Sequence, residues 1–278
     1  MTKLRFGPAG TPIQCDKSST YEGIKCAYSL GLNAFEMEFV HGVKMGETLA
    51  NSINQLSSSL GMKMSSHAPY YINLATTEEE KAKRSAFHII SSAHITDLAG
   101  GKITVVHPGF YQKLSKKEAY LLVKKRLLDI VSELKARKIK TKVGIETMGK
   151  YTAFGKIEEV LSLSSEIEQV SPVIDFAHLR ALKLYSFTKK EHYIKIFDMV
   201  EKELGRKAVE NFHIHFSEIE FSEKGEIKHL PLKTKYEPDY RAFIDTCIEN
   251  GYSGVVICES PKIDIDAQLM KKYYEGKA

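Results

Sequence analysis

Short β-rich runs alternate with longer amphipathic stretches along all 278 residues, and the alternation never breaks into halves of different composition. Eight strand-like runs are read: Leu4–Gly7, Ala34–Phe39, Met62–Ala68, Ile103–His107, Lys142–Thr147, Val170–Phe176, Phe212–Ser217 and Ser253–Glu259. Helices are read over Thr20–Leu32, Glu47–Leu60, Thr77–Leu98, Lys116–Arg137, Lys156–Ser165, Lys189–Leu204, Asp239–Asn250 and Ala267–Tyr274. In the first of these, Ile24, Ala27, Tyr28 and Leu32 recur at helical spacing. Gly61 and the pair Gly100-Gly101 stop the second and third. The segment from Ser217 to Asp239, through Pro231 and Pro238, reads as a loop. A strand followed by a helix, eight times over, predicts an α/β fold: a closed parallel (β/α)8 TIM barrel, one domain over residues 1–278. An open doubly wound sheet with extra strands is the competing arrangement.

Composition narrows the class. A chain 43% hydrophobic and 27% charged is an ordinary globular one. No apolar run approaches the ~18 residues of a membrane helix, so no membrane partner is expected. The start, Met1 to Gly7, lacks a secretory apolar stretch. Cys15, Cys26, Cys247 and Cys258 form no CxxC pair, which argues against a disulfide scaffold and a thiolate zinc knuckle, and fits a reducing cytoplasm. The net charge of +5 permits a polyanionic partner without requiring one. No hydrophobic strand edge or heptad run points beyond a monomer.

The chemistry gathers at the strand ends. The third run ends in Ser66-His67-Ala68-Pro69, the fourth in Val106-His107-Pro108-Gly109, and the fifth in Ile145-Glu146-Thr147. The sixth ends in Ile174-Asp175-Phe176-Ala177-His178, the seventh in His213-Ile214-His215-Phe216-Ser217, and the eighth in Cys258-Glu259-Ser260-Pro261. In a barrel, residues at the C-terminal strand ends converge on the active face. One such residue is usually a turn residue or hydrogen-bonded filler. Six in one register are harder to obtain that way, because burying carboxylates together without cations is strongly unfavourable. Acids with imidazoles and no thiolate form an N/O ligand set suited to zinc, manganese or iron. His213, two residues deeper than His215, reads as barrel filling, and His88, His94 and His192 read as polar residues of helices. Cys258 is expected to point outward against a helix.

The segments His67-Ala68-Pro69-Tyr70-Tyr71-Ile72-Asn73-Leu74, His107-Pro108-Gly109, Ile145-Glu146-Thr147, Asp175-x-x-His178, Ile214-His215-Phe216-Ser217 and Glu259-Ser260-Pro261 resemble endonuclease IV, in order and at family-like spacing. That family comprises abasic-site DNA repair nucleases on a xylose-isomerase-like barrel with three zinc ions. The resemblance implies that His67 and His107 hold one metal, with Glu146 bridging to a second completed by Asp175, His215 and Glu259. It implies that His178 and His229 hold a third. The family's third site uses an Asp-x-His element, whereas this chain reads Ile227-Lys228-His229, and Ile227 cannot coordinate. Glu226 is one residue away; the default for it is an exposed loop glutamate. Two or three Zn2+ ions per chain are therefore implied, with Mn2+ or Fe2+ as alternatives.

The implied activity is hydrolysis of double-stranded DNA 5′ to an abasic site, leaving a 3′-hydroxyl and a 5′-deoxyribose phosphate. Glu146 and Glu259 would be its catalytic carboxylates. Tyr70 and Tyr71 fall where the family inserts side chains into the minor groove; rim packing is the alternative for each. The segments Phe6–Pro12 and Val40–Lys44 depart from the nuclease pattern. Lys44, Lys113, Arg180 and Lys228 are candidate phosphate contacts, with a solvated side chain as the default. Two other readings stay open. Glu146, Asp175, His215 and Glu259 are also the ligand set of a single-metal sugar isomerase or epimerase, and the loss of the acid at Ile227 suits a catalytically idle relative.

Overall fold

A computed structural model of the chain describes residues 3–15, 19–233 and 236–277. Eight parallel strands lie in one sheet in the order β1-β10-β7-β6-β5-β4-β3-β2, and a two-stranded antiparallel sheet pairs β8 with β9. This is the order and direction expected of a (β/α)8 barrel. By its internal contacts the chain forms two compact units, Met1–Glu36 with Ile174–Ala278, and Met37–Val173.

The first unit contains β1 (Leu4–Pro8), α1 (Thr20–Ser29) and the start of β2 (Ala34–Glu38). The Met37–Val173 unit takes the rest of β2, then α2 (Glu47–Leu60), β3 (Lys63–His67), α3 (Glu79–Leu98), β4 (Ile103–Val106), α4 (Lys116–Ala136), β5 (Lys142–Glu146) and α5 (Ile157–Glu166). The chain returns to the first unit within β6 (Val170–Asp175) and continues as α6 (Phe176–Ala181), α7 (Lys190–Leu204), α8 (Arg206–Val209) and β7 (Phe212–Phe216). There follow β8 (Glu218–Ser222), β9 (Gly225–Leu230), α9 (Tyr240–Asn250), β10 (Gly254–Cys258) and α10 (Ile263–Glu275).

The core of the Met37–Val173 unit is aliphatic. Val106, Val143 and Ile145 from the strands pack with Ile89, Val123, Leu127 and Ile130 from α3 and α4. A capping box closes the start of α4: Ser115 Oγ accepts from the Glu118 N–H while Glu118 accepts from the Ser115 N–H at 2.8 Å. Ser66, Thr96 and Thr104 are buried but share a hydroxyl network, so none is left unsatisfied.

The other unit has an aromatic core. Phe176 lies 5.0 Å from Phe187, 5.0 Å from Tyr193 and 5.5 Å from Phe243, measured between ring centroids. The Tyr193 hydroxyl, buried among these rings, donates to the Asp239 carbonyl at 2.8 Å. Because Phe176 is the first residue of α6, this cluster anchors the turn that carries Asp175 and His178.

Three expectations are corrected. The stretch after Ser217 is not a plain loop: it forms the β8–β9 hairpin, whose strands carry alternating Ile219, Phe221 and polar residues. The last helix begins at Ile263 rather than Ala267, since Asp264 and Asp266 favour a helix N-terminus. Cys15 and Cys26 are not free thiols but a disulfide. Cys247 and Cys258 are free and buried. Among the described residues no helix is long and apolar enough to cross a membrane.

Removing the Phe176 ring should leave a large cavity. Phe176→Ala is expected to lower the unfolding free energy by about 3–5 kcal/mol in urea denaturation. A loss below about 1 kcal/mol would show that the ring cluster does not anchor α6.

Candidate metal centre

In parallel strands covered on both faces, most positions are apolar, and acids or imidazoles near the C-terminal ends need partners. His67 and Glu146 are the last residues of β3 and β5, and His107 follows β4 by one residue. All three belong to the Met37–Val173 unit, and each offers a ligand atom within 4.8 Å of the others. The motif around them is locked locally. Gly109 adopts a φ of +111°, and a Cβ there would meet Asn73 Oδ1 at 2.2 Å. Asn73 Oδ1 in turn accepts from the Phe110 N–H at 3.3 Å and the Leu74 N–H donates to the Pro108 carbonyl at 2.8 Å, so the loops after β3 and β4 hold each other.

The hydrogen positions argue for a cation. His67 Nδ1 lies 2.7 Å from the Ala68 carbonyl, which can only accept, so Nδ1 carries the hydrogen. In the neutral ring Nε2 then presents a lone pair, 3.2 Å from Glu146 Oε2. His107 Nε2 approaches the same oxygen at 2.9 Å. A ring lone pair and a carboxylate oxygen attract only when a cation serves both, whether a proton or a metal ion.

The same logic recurs in the other unit. Asp175 ends β6 and caps α6, accepting from the His178 N–H at 2.8 Å. Asp175, His178 and His229 offer atoms within 4.8 Å of one another, as do Asp175, His215 and Glu259. The single hydrogen of Ser217 Oγ goes to the Glu218 carbonyl at 2.9 Å, so Ser217 accepts from His229 Nδ1 at 2.7 Å. His229 Nε2 then presents its lone pair to His178 Nε2 at 3.4 Å, an arrangement that a shared hydrogen or a metal ion can serve. His215 Nδ1 stands 3.1 Å from Glu259 Oε1. Glu259 follows β10, and its backbone N–H donates to Phe216 at 3.1 Å; Ser260 beside it is tied to buried Asp266 at 2.6 Å.

Glu226 is not an exposed loop glutamate. Pairing shifts by one residue between Glu220↔Lys228 and Phe221↔Glu226, leaving Ile227 as the extra residue of a bulge. Ile227 is 54% exposed, whereas the Glu226 side chain is only 18% exposed and its Oε2 lies 3.5 Å from His178 Nε2. Across a regular pleat, residues three apart face opposite ways; the bulge puts Glu226 on the face of His229.

Two residues went unnoticed in the sequence as site components. Glu36, in the middle of β2, is fully buried and receives His213 Nε2 and His215 Nε2 at 2.9 Å each. Burial pushes its carboxyl up, but the electrostatic contact with His215 and the hydrogen bond from His213 hold it well below the usual range. His213 is therefore part of this network rather than plain filling. An acid set between the buried apolar residues Phe35 and Met37 was the available signal. Cys258 is no candidate ligand: burial raises its thiol to about 12, which keeps it protonated.

Tyr70 and Tyr71 stand out from the surface, 56% and 50% exposed, with ring centroids 5.7 Å apart. Tyr71 also reaches His88 at 3.4 Å. Among the candidate phosphate contacts, Arg180 pairs with Glu237 at 2.9 Å and Lys228 with Glu220 at 3.2 Å.

With this geometry in view, the family profile described as xylose isomerase-like TIM barrel matches residues 24–275, so the chain belongs to that family and is a (β/α)8 barrel. Its relatives include an uncharacterized protein of Methanocaldococcus jannaschii, 38% identical over 98% of this chain and 97% of the relative. A probable endonuclease 4 of Aster yellows witches'-broom phytoplasma is 28% identical over 76% of this chain and 75% of that one. Among solved structures, endonuclease IV from Thermus thermophilus superposes with a TM-score of 0.76 at 19% identity, covering 98% of this chain and 99% of the other. A D-tagatose 3-epimerase-like protein gives 0.70 at 17% identity, covering 96% and 97%. At those identities the structures establish the fold alone.

If cations serve these facing donors, stripping them should destabilise the protein. Chelator-treated protein is expected to unfold at a lower temperature and to recover on adding zinc, since a ligand at 100 times its Kd stabilises by about 2.7 kcal/mol. Identical melting curves before and after stripping would count against a metal centre.

Proposed function

We propose that the chain is a metal-dependent apurinic/apyrimidinic endonuclease of DNA base-excision repair, cutting 5′ to an abasic site. The products would be a 3′-hydroxyl and a 5′-deoxyribose phosphate. The observation that carries the reading is the surplus of imidazoles. His67 and His107 meet Glu146, and His178 and His229 meet Asp175, beyond the four ligands that a one-metal sugar enzyme requires.

In this reading His67, His107 and Glu146 would hold one ion, and Asp175, His215 and Glu259 would hold another. Bound zinc supplies Lewis-acid stabilisation of the phosphodiester and lowers the pKa of water. The chain's own contribution is orientation. The Ala68 carbonyl and Ser217 fix the tautomers of His67 and His229, so each presents Nε2. Glu259, part exposed and tied to the barrel through its backbone, accepts the proton of the attacking water. Tyr70 and Tyr71 would wedge into the duplex, where unstacking costs least because a base is already missing.

The third ion would rest on His178, His229 and Glu226, the bulge replacing the acid that Ile227 lacks. Glu226→Gln is expected to reduce the bound metal by one equivalent in elemental analysis and to slow nicking by about 10-fold or more. Unchanged stoichiometry would remove Glu226 from the site.

The deciding experiment offers the metal-loaded protein a duplex with one tetrahydrofuran abasic mimic and reads nicking beside metal content on the same sample. Nicking at the mimic with two or more metals per chain is expected, and Glu146→Gln should abolish it. An intact duplex with at most one metal per chain would favour the second reading, a sugar epimerase using Glu146, Asp175, His215 and Glu259. An intact duplex with several metals bound would point to an idle relative.

A further inference from the structure

A carboxylate in the middle of a buried strand is a costly placement unless every lone pair it exposes finds a donor. Glu36 is such a carboxylate. It is fully buried, and each of its oxygens meets a different imidazole: Oε2 meets His213 Nε2 and Oε1 meets His215 Nε2, both at 2.9 Å. Its backbone is pinned as well, in a parallel bridge with Ala9 and with its carbonyl accepting from the Gly10 N–H at 2.9 Å. The His213 contact is a hydrogen bond, and the His215 contact is an ion-pair approach; a nitrogen this close to a carboxylate oxygen is the one that carries its ring's hydrogen. For His215 that leaves Nδ1 as the lone-pair nitrogen, and Nδ1 is the atom 3.1 Å from Glu259 Oε1.

From this juxtaposition we infer that Glu36 is a positioning residue for the metal centre. It fixes the tautomer and ring plane of His215 so that Nδ1 is offered beside Glu259, and His213 occupies its second oxygen and keeps the carboxylate from turning away. The inference rests on His215 being a metal ligand, as proposed above. Glu36, His213 and His215 also offer atoms within 4.8 Å of one another, but this assignment holds the cation on the side of Glu259, whose side chain is 18% exposed, while Glu36 and His215 are closed to solvent. A buried anion behind an imidazole also makes it a stronger ligand. Partners of this kind typically contribute 10- to 100-fold in metal affinity.

Cobalt titration followed by its visible absorption, with a chromogenic chelator as competitor, tests this without reference to any substrate. Glu36→Gln is expected to keep the stoichiometry of the unsubstituted chain at saturation, to weaken one site by about 10- to 100-fold, and to alter its absorption band. Glu36→Asp, which keeps the charge on a shorter stem, should fall between; it is also the variant to use if Glu36→Gln does not fold. In a His215→Ala background, Glu36→Gln should cause no further loss, because its effect passes through that ring. Equal affinity for Glu36→Gln and the unsubstituted chain would overturn the inference. So would an undiminished effect in the His215→Ala background, or the loss of a whole equivalent at saturation, which would make Glu36 a ligand. An unsubstituted chain that takes up no cobalt would instead overturn the metal reading itself, and this inference with it.

Discussion

Buried acceptors aimed at one another govern the structure at the strand ends. His67 Nε2 faces Glu146, His229 Nε2 faces His178 Nε2, and His215 Nδ1 faces Glu259, at 3.2, 3.4 and 3.1 Å. In each pair a carbonyl, a hydroxyl or a carboxylate has already claimed the hydrogen of one ring's other nitrogen. Protons could bridge such pairs singly. For His67 beside Glu146 and His215 beside Glu259 that would place imidazolium charges in low dielectric, whereas a divalent ion satisfies several such groups at once. The local architecture serves this purpose. Asp175 caps α6, Asn73 clasps Gly109, and Asp266 holds Ser260, each fixing a donor's neighbour rather than the donor itself.

The fold was legible because its rhythm is repetitive. Parallel strands buried on both faces leave short apolar runs, and the helices between them bury one face each, so period alone separates them. The donors at the ends of β3, β4, β5, β6, β7 and β10 stood out because each lies at or beside the last residue of its strand. Glu36 escaped notice because it sits inside its strand, and its partners His213 and His215 lie 177 and 179 residues later on a strand that is not β2's neighbour in the sheet. No local pattern links them. Only a cost argument could have: an acid flanked by Phe35 and Met37 requires a donor from elsewhere.

The Cys15–Cys26 bridge and the hairpin were missed for different reasons. Isolated cysteines carry no pairing information in a sequence, since pairing depends on how α1 returns against the segment before it. The hairpin was hidden by Lys and Glu residues and by the proline that follows it. Its functional content lies in one irregularity. A bulge reverses the parity of facing residues, so an acid one position out of register with the family's element still reaches the face of His229. Spacing rules taken along a strand hold only while its pleat is unbroken.

The choice between a nuclease and a sugar epimerase on this barrel turns on what the outlying imidazoles are for. A single ion moving protons beside a carbonyl is complete with acids and one imidazole. His67, His107, His178 and His229, each within ion-pair distance of a carboxylate, would then have no part in the chemistry. A phosphodiester asks for more: the attacking oxygen, the leaving oxygen and the anionic phosphoryl oxygens all need positive charge at once, which clustered cations provide. Placing Glu226 at 3.5 Å from His178 by way of a bulge, with Ile227 turned out to solvent, maintains an acid at the outermost of these positions. In the proposed nuclease, that acid would complete the ligand set of the third ion.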